Sequence, residues 1–195
     1  MSTDPSAPGR RERKKEQTRQ ALADAALRLF LERGFEQVTV AEIAAEADTA
    51  VTTLFKHFPG GKETLIFDDG TERIVSITAA VRDRSGDVSV VDALRDFFLH
   101  RSPFETDPGE RRPSVDLVLR TPVLVAYAHK LWLACADPLA EAIAASTGLA
   151  ADDPSLRAFV RYVLDLPEVA GFDTEPAASL HAVFDRLARG WPELA

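Results

Sequence analysis

Few side chains in this sequence are placed to make or break bonds. Four histidines, His57, His100, His129 and His181, and the single Cys135 are scattered over 195 residues. The spacing of His129 and Cys135 on a helix is a rotation of about 240°, so the two do not face one another. There is no nucleotide-binding glycine fingerprint and no metal-ligand spacing. No catalytic residue, metal or cofactor is therefore expected. The residues that do point to a chemistry are Thr52, Thr53, Lys56 and His57, interleaved with Leu54 and Phe58. Hydroxyls, threonine methyls and cations are what reading a DNA major groove calls for. The apolar pair is what holding such a reader in place calls for.

Those residues need a short helix packed along one side, and the surrounding sequence predicts one. A first helix is expected over Arg11–Arg33, with Leu22, Ala26, Leu29 and Phe30 on one face and Gly34 as its stop. Thr39-Val40-Ala41-Glu42 reads as a capping box opening a second helix to about Ala47. A turn at Asp48–Ala50 leads to a third helix over Val51–His57. Phe58-Pro59-Gly60-Gly61 ends it, because proline cannot continue a helix and glycine supplies the turn. A short helix pair joined by so tight a turn is a helix-turn-helix, whose second helix enters the major groove.

The formal net charge of −8, taken alone, opposes a polyanion partner, but its distribution does not. Residues 1–65 hold 10 Lys+Arg and 10 Asp+Glu. The remaining residues hold 23 − 10 = 13 and 31 − 10 = 21, so all the net charge lies there. Arg10, Arg11, Arg13, Lys14, Lys15 and Arg19 cluster ahead of the neutral domain, which suits a nucleic-acid partner or, equally, a solvated tail. Residues 1–10, small and Pro-rich toward the start, are expected to be a disordered arm. No signal peptide and no apolar run of membrane-spanning length is read, and the lone cysteine fits a reducing cytoplasm.

The remainder is predicted to be helical. One continuous pattern runs from Lys62 to about Arg84, and Asp87 is the expected cap of the next helix, which carries Val90, Val91, Leu94, Phe97 and Phe98. Residues 102–113 are expected to be a loop or broken helix. Pro113 suits a first helical position. Thr121-Pro122 starts a helix through Trp132 and Cys135, with a kink or fresh start at Pro138. Helices over about Pro154–Leu166 and Pro176–Arg189 follow. The fold class is all-α, with about nine helices.

Phe35–Ala44, together with Thr53-Leu54-Phe55-Lys56-His57-Phe58-Pro59-Gly60-Gly61-Lys62-Glu63, resembles the DNA-binding region of TetR-family regulators. The resemblance implies a three-helix DNA-binding domain over 11–61 and a helical ligand-binding and dimerisation domain over 62–195. It further implies a homodimer, a double-stranded DNA partner and, in most members, a repressor released by a small-molecule effector. On the matching positions, Thr39 meets a phosphate while capping its helix, and Thr52 and Thr53 face the groove. Phe55 stands where tyrosine is common and lacks its hydroxyl. Lys56, His57 and Lys62 are phosphate candidates, and Arg11, Thr49 and Ala50 complete the DNA-facing set. Two positions depart from the family pattern. Asp48 replaces the usual turn glycine, and Ala50 replaces the serine that caps the recognition helix, leaving Thr49 or Asp48 to cap it.

By the same analogy the last two helices pair with their copies through Phe159, Val163, Leu180, Val183, Phe184 and Leu187, although periodicity alone reads equally as internal core. Phe97, Phe98, Tyr127, Leu131, Trp132 and Cys135 are candidates for the wall of a ligand pocket, or for plain core. His100 and His129 are possible polar contacts. The alternative reading is a helical small-molecule-binding protein or enzyme with an incidental helix-turn-helix. Among regulators, an activator is the alternative to a repressor.

Overall fold

The computed structural model describes residues 9–67, 69–101, 104 and 112–195. Among the described residues there are ten α-helices, two 3-10 turns and no strand, and none of the helices is long and apolar enough to cross a membrane. The chain divides into two compact units, 1–67 and 68–195. The 3-10 turn Lys62–Leu65 thus belongs with the first unit, beyond the boundary expected at 61/62.

The first unit is built on α1 (Arg10–Arg33), α2 (Val40–Glu46) and α3 (Val51–His57). Arg10, expected to lie in the arm, is the first residue of α1, with Gly9 as its N-cap; residues 1–8 of the expected arm lie outside the described residues. One face of α1 buries Leu22, Ala25, Ala26, Leu29 and Phe30. It packs against Phe35, Val38, Ile43, Ala44, Leu54, Phe58 and Leu65, all buried. A buried leucine or phenylalanine contributes about 1.5–3 kcal/mol relative to exposure, so this small core carries the unit. Thr39 caps α2 in a full capping box: its Oγ1 accepts from Glu42 N at 3.2 Å, and Thr39 N donates to Glu42 Oε2 at 2.8 Å.

The second unit contains α4 (Thr71–Arg82), α5 (Val90–Leu99), α6 (Pro113–Arg120), α7 (Pro122–Leu133), α8 (Ala136–Thr147), α9 (Pro154–Val169) and α10 (Pro176–Gly190). Helix α4 packs on α5 and α8, α9 on α7 and α8, and α10 on α5. Their shared core includes Ile77, Leu94, Phe98, Trp132, Leu139, Ile143, Phe159 and Phe184.

Several sequence expectations are corrected here. The pattern from Lys62 to Arg84 is not one helix. A 3-10 turn ends at Leu65, and α4 starts afresh at Thr71, where Gly70 adopts a left-handed φ of 83° and Asp69 Oδ1 accepts from Thr71 N at 3.0 Å. Helix α5 is capped by Ser89, whose Oγ accepts from Asp92 N at 3.0 Å, not by Asp87. Helix α9 runs through Pro167 to Val169 rather than stopping at Leu166. Pro113 and Pro122 start α6 and α7. Pro138 lies in the first turn of α8, a fresh start, where its missing N–H breaks no helical bond. Of the expected 102–113 loop, residues 102–103 and 105–111 lie outside the described residues.

Candidate nucleic-acid interface

The turn between α2 and α3 is closed by backbone geometry. Asp48 takes a φ of 49°, the one left-handed non-glycine position among the described residues. Its neighbour Thr49 N donates to Ala44 O at 2.9 Å. Asp tolerates this conformation better than most residues because its short polar side chain bonds locally. Ala50 is the N-cap of α3 and offers no side-chain cap, and neither Thr49 nor Asp48 fills that role among the described residues. Leu54 and Phe58 are buried and pin the helix to the unit.

That packing decides which side of α3 faces out. Thr52 and Lys56 are exposed, as are Val51 at 36 % and Phe55 at 46 %. Thr53 and His57 are half-buried on the flank. Ala50 is exposed and Thr49 half-buried in the turn. The outer face is therefore Val51, Thr52, Phe55 and Lys56: two apolar groups suited to thymine methyls or sugars, one hydroxyl and one ammonium. Val51 escaped the sequence reading because valine suggests core. Its i, i+4 relation to Phe55 places the two together on the exposed side.

Cations converge where α1 meets the end of α3. Arg19 donates to His57 O at 3.0 Å and lies 4.6 Å over the Phe58 ring. Burial, followed by the charges of Lys15, Arg19 and Lys56, pushes the His57 imidazole below its ordinary value, and Glu16 opposes this. His57 is thus a gauge of a local positive field contributed by both helices. Arg11 is exposed in the first turn of α1.

Two predicted phosphate contacts sit differently. Lys62 is turned into the unit: its Nζ donates to Phe35 O at 2.6 Å and Val38 O at 3.0 Å and lies 4.2 Å over the Phe35 ring. It ties the turn after α3 to the loop before α2 and is set apart from the exposed face of α3. The Thr39 hydroxyl, besides accepting from Glu42 N, donates to Glu42 Oε2 at 2.8 Å. The two hydrogen bonds from Thr39, the larger causes, and the charge of Arg33 hold the Glu42 carboxyl below its ordinary range, while desolvation opposes. Arg33 bridges that carboxylate at 3.1 Å.

Within 68–195, Phe98 packs tilted against Trp132 at 5.2 Å, and Phe97 meets both rings edge-on at 5.3 and 6.4 Å. Cys135 is buried in the same core, and burial pushes its thiol up to about 11. Leu131 is also buried, whereas half-buried Tyr127 lies under Lys130 Nζ at 6.0 Å. His129 is held between Asp165 Oδ1 at 2.9 Å and Glu168 Oε2 at 2.6 Å. His100 is exposed and contacts Asp96. The residues expected at a dimer interface are placed inside the chain instead. Phe159, Val163, Leu180 and Phe184 are 0 % exposed, Leu187 is buried and Val183 packs against the same core. Their stripe on each helix faces the other helices of its own unit. The outward apolar residues of this region are Tyr162, Val169 and Phe172.

Residues 22–68 match the family model described as bacterial regulatory proteins, tetR family, and residues 88–192, more than half of the chain, match the MftR C-terminal domain. The chain belongs to the TetR family. It is a DNA-binding transcriptional regulator with the helix-turn-helix described above. The Mycobacterium tuberculosis protein assigned as the mycofactocin biosynthesis transcriptional regulator MftR is 26 % identical over 137 residues, 70 % of this chain and 69 % of that relative. The regulator TcmR of Streptomyces glaucescens is 40 % identical over 62 residues, 32 % of this chain and 27 % of its own. Among solved TetR-family structures, Thermus thermophilus FadR, a transcriptional repressor in complex with lauroyl-CoA, is 26 % identical with a TM-score of 0.57, covering 88 % of this chain and 94 % of that one. Salmonella enterica GusR shares the fold at 21 % identity and a TM-score of 0.57, covering 91 % of this chain and 95 % of that one.

Proposed function

We propose that this TetR-family chain is a homodimeric repressor that binds a palindromic operator through α3 and is released by a small molecule held within residues 68–195. The observation that carries the DNA-binding part is the exposed face of α3, with Leu54 and Phe58 locking the opposite side. Thr52 and Thr53 then reach base edges, Val51 and Phe55 contact thymine methyls or sugar, and Lys56 meets a phosphate. Thr49, Ala50, Arg11 and His57 line the approach, and Thr39 meets a phosphate beside its cap.

Repression and release by a ligand are supported by FadR, a repressor crystallised with lauroyl-CoA. Dimerisation rests on exposed apolar residues on α9 and just after it, Tyr162 at mid-helix at 59 %, Val169 at the helix end at 69 % and Phe172 beyond it at 49 %. Two copies joined there would read half-sites about 34–36 Å apart.

A mobility-shift titration against the protein's own upstream region tests the proposal. Specific binders reach about 10⁻⁸–10⁻¹¹ M, and affinity should fall steeply with salt because phosphate contacts release counterions. Equal affinity for random duplex would overturn it. Thr53→Ala with Lys56→Ala should abolish operator binding with circular dichroism and native mass unchanged. Tyr162→Asp with Val169→Asp should convert the dimer to a monomer.

A further inference from the structure

Among the described residues of the second unit, one cation with buried nitrogens is left without an ion pair. Arg73, on α4, has Nε and Nη1 buried, and neither has a hydrogen-bond partner among the described residues. Its guanidinium lies 4.9 Å over the Trp132 ring. Ring contact offsets part of the charge but accepts none of the N–H groups in their plane.

The neighbouring arginine is arranged otherwise. Arg101 donates to Glu72 Oε1 at 2.8 Å and Ser76 Oγ at 2.6 Å, and lies 4.6 Å over Phe97. The hydrogen bond of Arg101, the largest cause, together with the charge of Arg101, a hydrogen bond with Ser76 and the charge of Arg73, holds the Glu72 carboxyl below its ordinary range against desolvation. The Glu72 oxygens thus accept from Arg101, and Nε and Nη1 of Arg73 are left without an acceptor among the described residues, although its charge still acts on Glu72.

Arg73 shares one face of α4 with Ser76 and Ala80, at i+3 and i+7. Further along α4 lies an open cleft of about 370 Å³ lined by Ser76, Ala80, Phe97 and Arg101, with Asp96 and His100 also on its lining; Arg73 and Trp132 adjoin it in the fold through Ser76 and Phe97 and are not themselves on the lining. Phe97 is common to this cleft and to the ring cluster around Trp132. An unpaired guanidinium, a wall of aromatic rings and adjoining space are together the features of a receptor for a planar anion on an apolar body. Arginine recognises a carboxylate through its rigid fork of donors.

We infer that Arg73 receives the carboxylate of a small organic acid whose apolar part lies against Phe97 and Trp132. This rests on the reading of residues 68–195 as the effector-binding unit and names the chemical class of that effector.

The chain has two tryptophans, Trp132 and Trp191. In full-length Trp191→Phe protein, Trp132 therefore reports alone on its surroundings. The probes are benzoate, phenylacetate and decanoate (below micelle formation), each beside its primary amide. At least one acid should change Trp132 emission saturably, with its amide inert. Arg73→Met should raise the dissociation constant of that acid about tenfold or more, the range of a lost charged hydrogen bond. Inert acids, acid and amide binding alike, or unchanged affinity in Arg73→Met would each overturn the inference.

A melt separates binding from scaffolding. Arg73→Met should unfold at or above the wild-type temperature, whereas an arginine kept for structure would lower it and leave the acid response intact. Mobility shift on the upstream duplex distinguishes the two levels. Acid binding without DNA release leaves the Arg73 site standing and removes the effector reading. Release by the amides, unaffected by Arg73→Met, does the reverse.

Discussion

Arg19 of α1 holds the last carbonyl of α3, with 3.0 Å between its guanidinium and His57 O, while covering the Phe58 ring at 4.6 Å. The cation satisfies an orphan acceptor at a helix C-terminus, where the dipole favours positive charge. The first helix therefore fixes the far end of the recognition helix directly.

Replacing Arg19 by methionine keeps the aliphatic packing but removes the charged hydrogen bond and the ring contact. The loss should be about 2 kcal/mol of stability in the first unit. Urea unfolding followed by circular dichroism measures it. A change below about 0.5 kcal/mol would mean that the carbonyl is equally well served by water.

Lys56 and Lys62 lie close in sequence but should behave differently. Lys56→Ala should lower the slope of log affinity against log salt by about one phosphate contact, with little effect on the melting temperature. Lys62→Met strips Phe35 O and Val38 O of their ammonium. It should lower the melting temperature and leave the salt slope of the surviving folded protein unchanged. The reverse pattern would put Lys62 on the DNA.

His57 makes the first unit sensitive to acid. Its folded value lies below the ordinary 6.5 because of burial first and then the charges of Lys15, Arg19 and Lys56. The unfolded chain takes up the proton first. This contribution is thus fully present above 6.5, begins to fall as pH drops through that value, and is lost below the folded value. DNA phosphate near the same cations would draw the imidazole back up, so operator binding should be accompanied by proton uptake in the range where His57 titrates. His57→Gln should flatten both trends, read by melts across pH 5–8 and by calorimetry in buffers of different ionisation enthalpy.

Asp48 offers a test of backbone strain. At a φ of 49°, Asp48→Gly should be neutral or stabilising, and Asp48→Val should cost about 1–2 kcal/mol. Operator affinity should fall with the valine variant, because the turn sets the angle between α2 and α3.

The first unit was legible because its signals are local. The Thr39–Glu42 box, the left-handed position at Asp48 and the stop at Phe58-Pro59 each act within a few residues. The fresh start of α4 after Gly70 was hidden because Leu65, Ile66 and Ile74 keep an apolar rhythm across it. Only the backbone reveals that Gly70 turns the chain. Lys62 read as a surface cation because its partners, two carbonyls before α2, are distant in sequence.

The stripe Leu180, Phe184 and Leu187 has the same periodicity whether it meets its own chain or a copy. Only burial places it in the core, leaving Tyr162 and Val169 outside. Arg73 was missed as well, although an arginine sharing a face with Ile77 and Ala80, buried and half-buried respectively, is the kind of mismatch that marks an unsatisfied site.

Cys135 is the chain's one cysteine, sealed at 0 % exposure with its thiol pushed up to about 11. A thiol so protonated and covered reacts only when the protein opens. The native molecule is in effect blank to maleimides. A dye attached at any engineered surface cysteine will report that position alone, while slow alkylation of Cys135 itself serves as a clock for the breathing of the core around it.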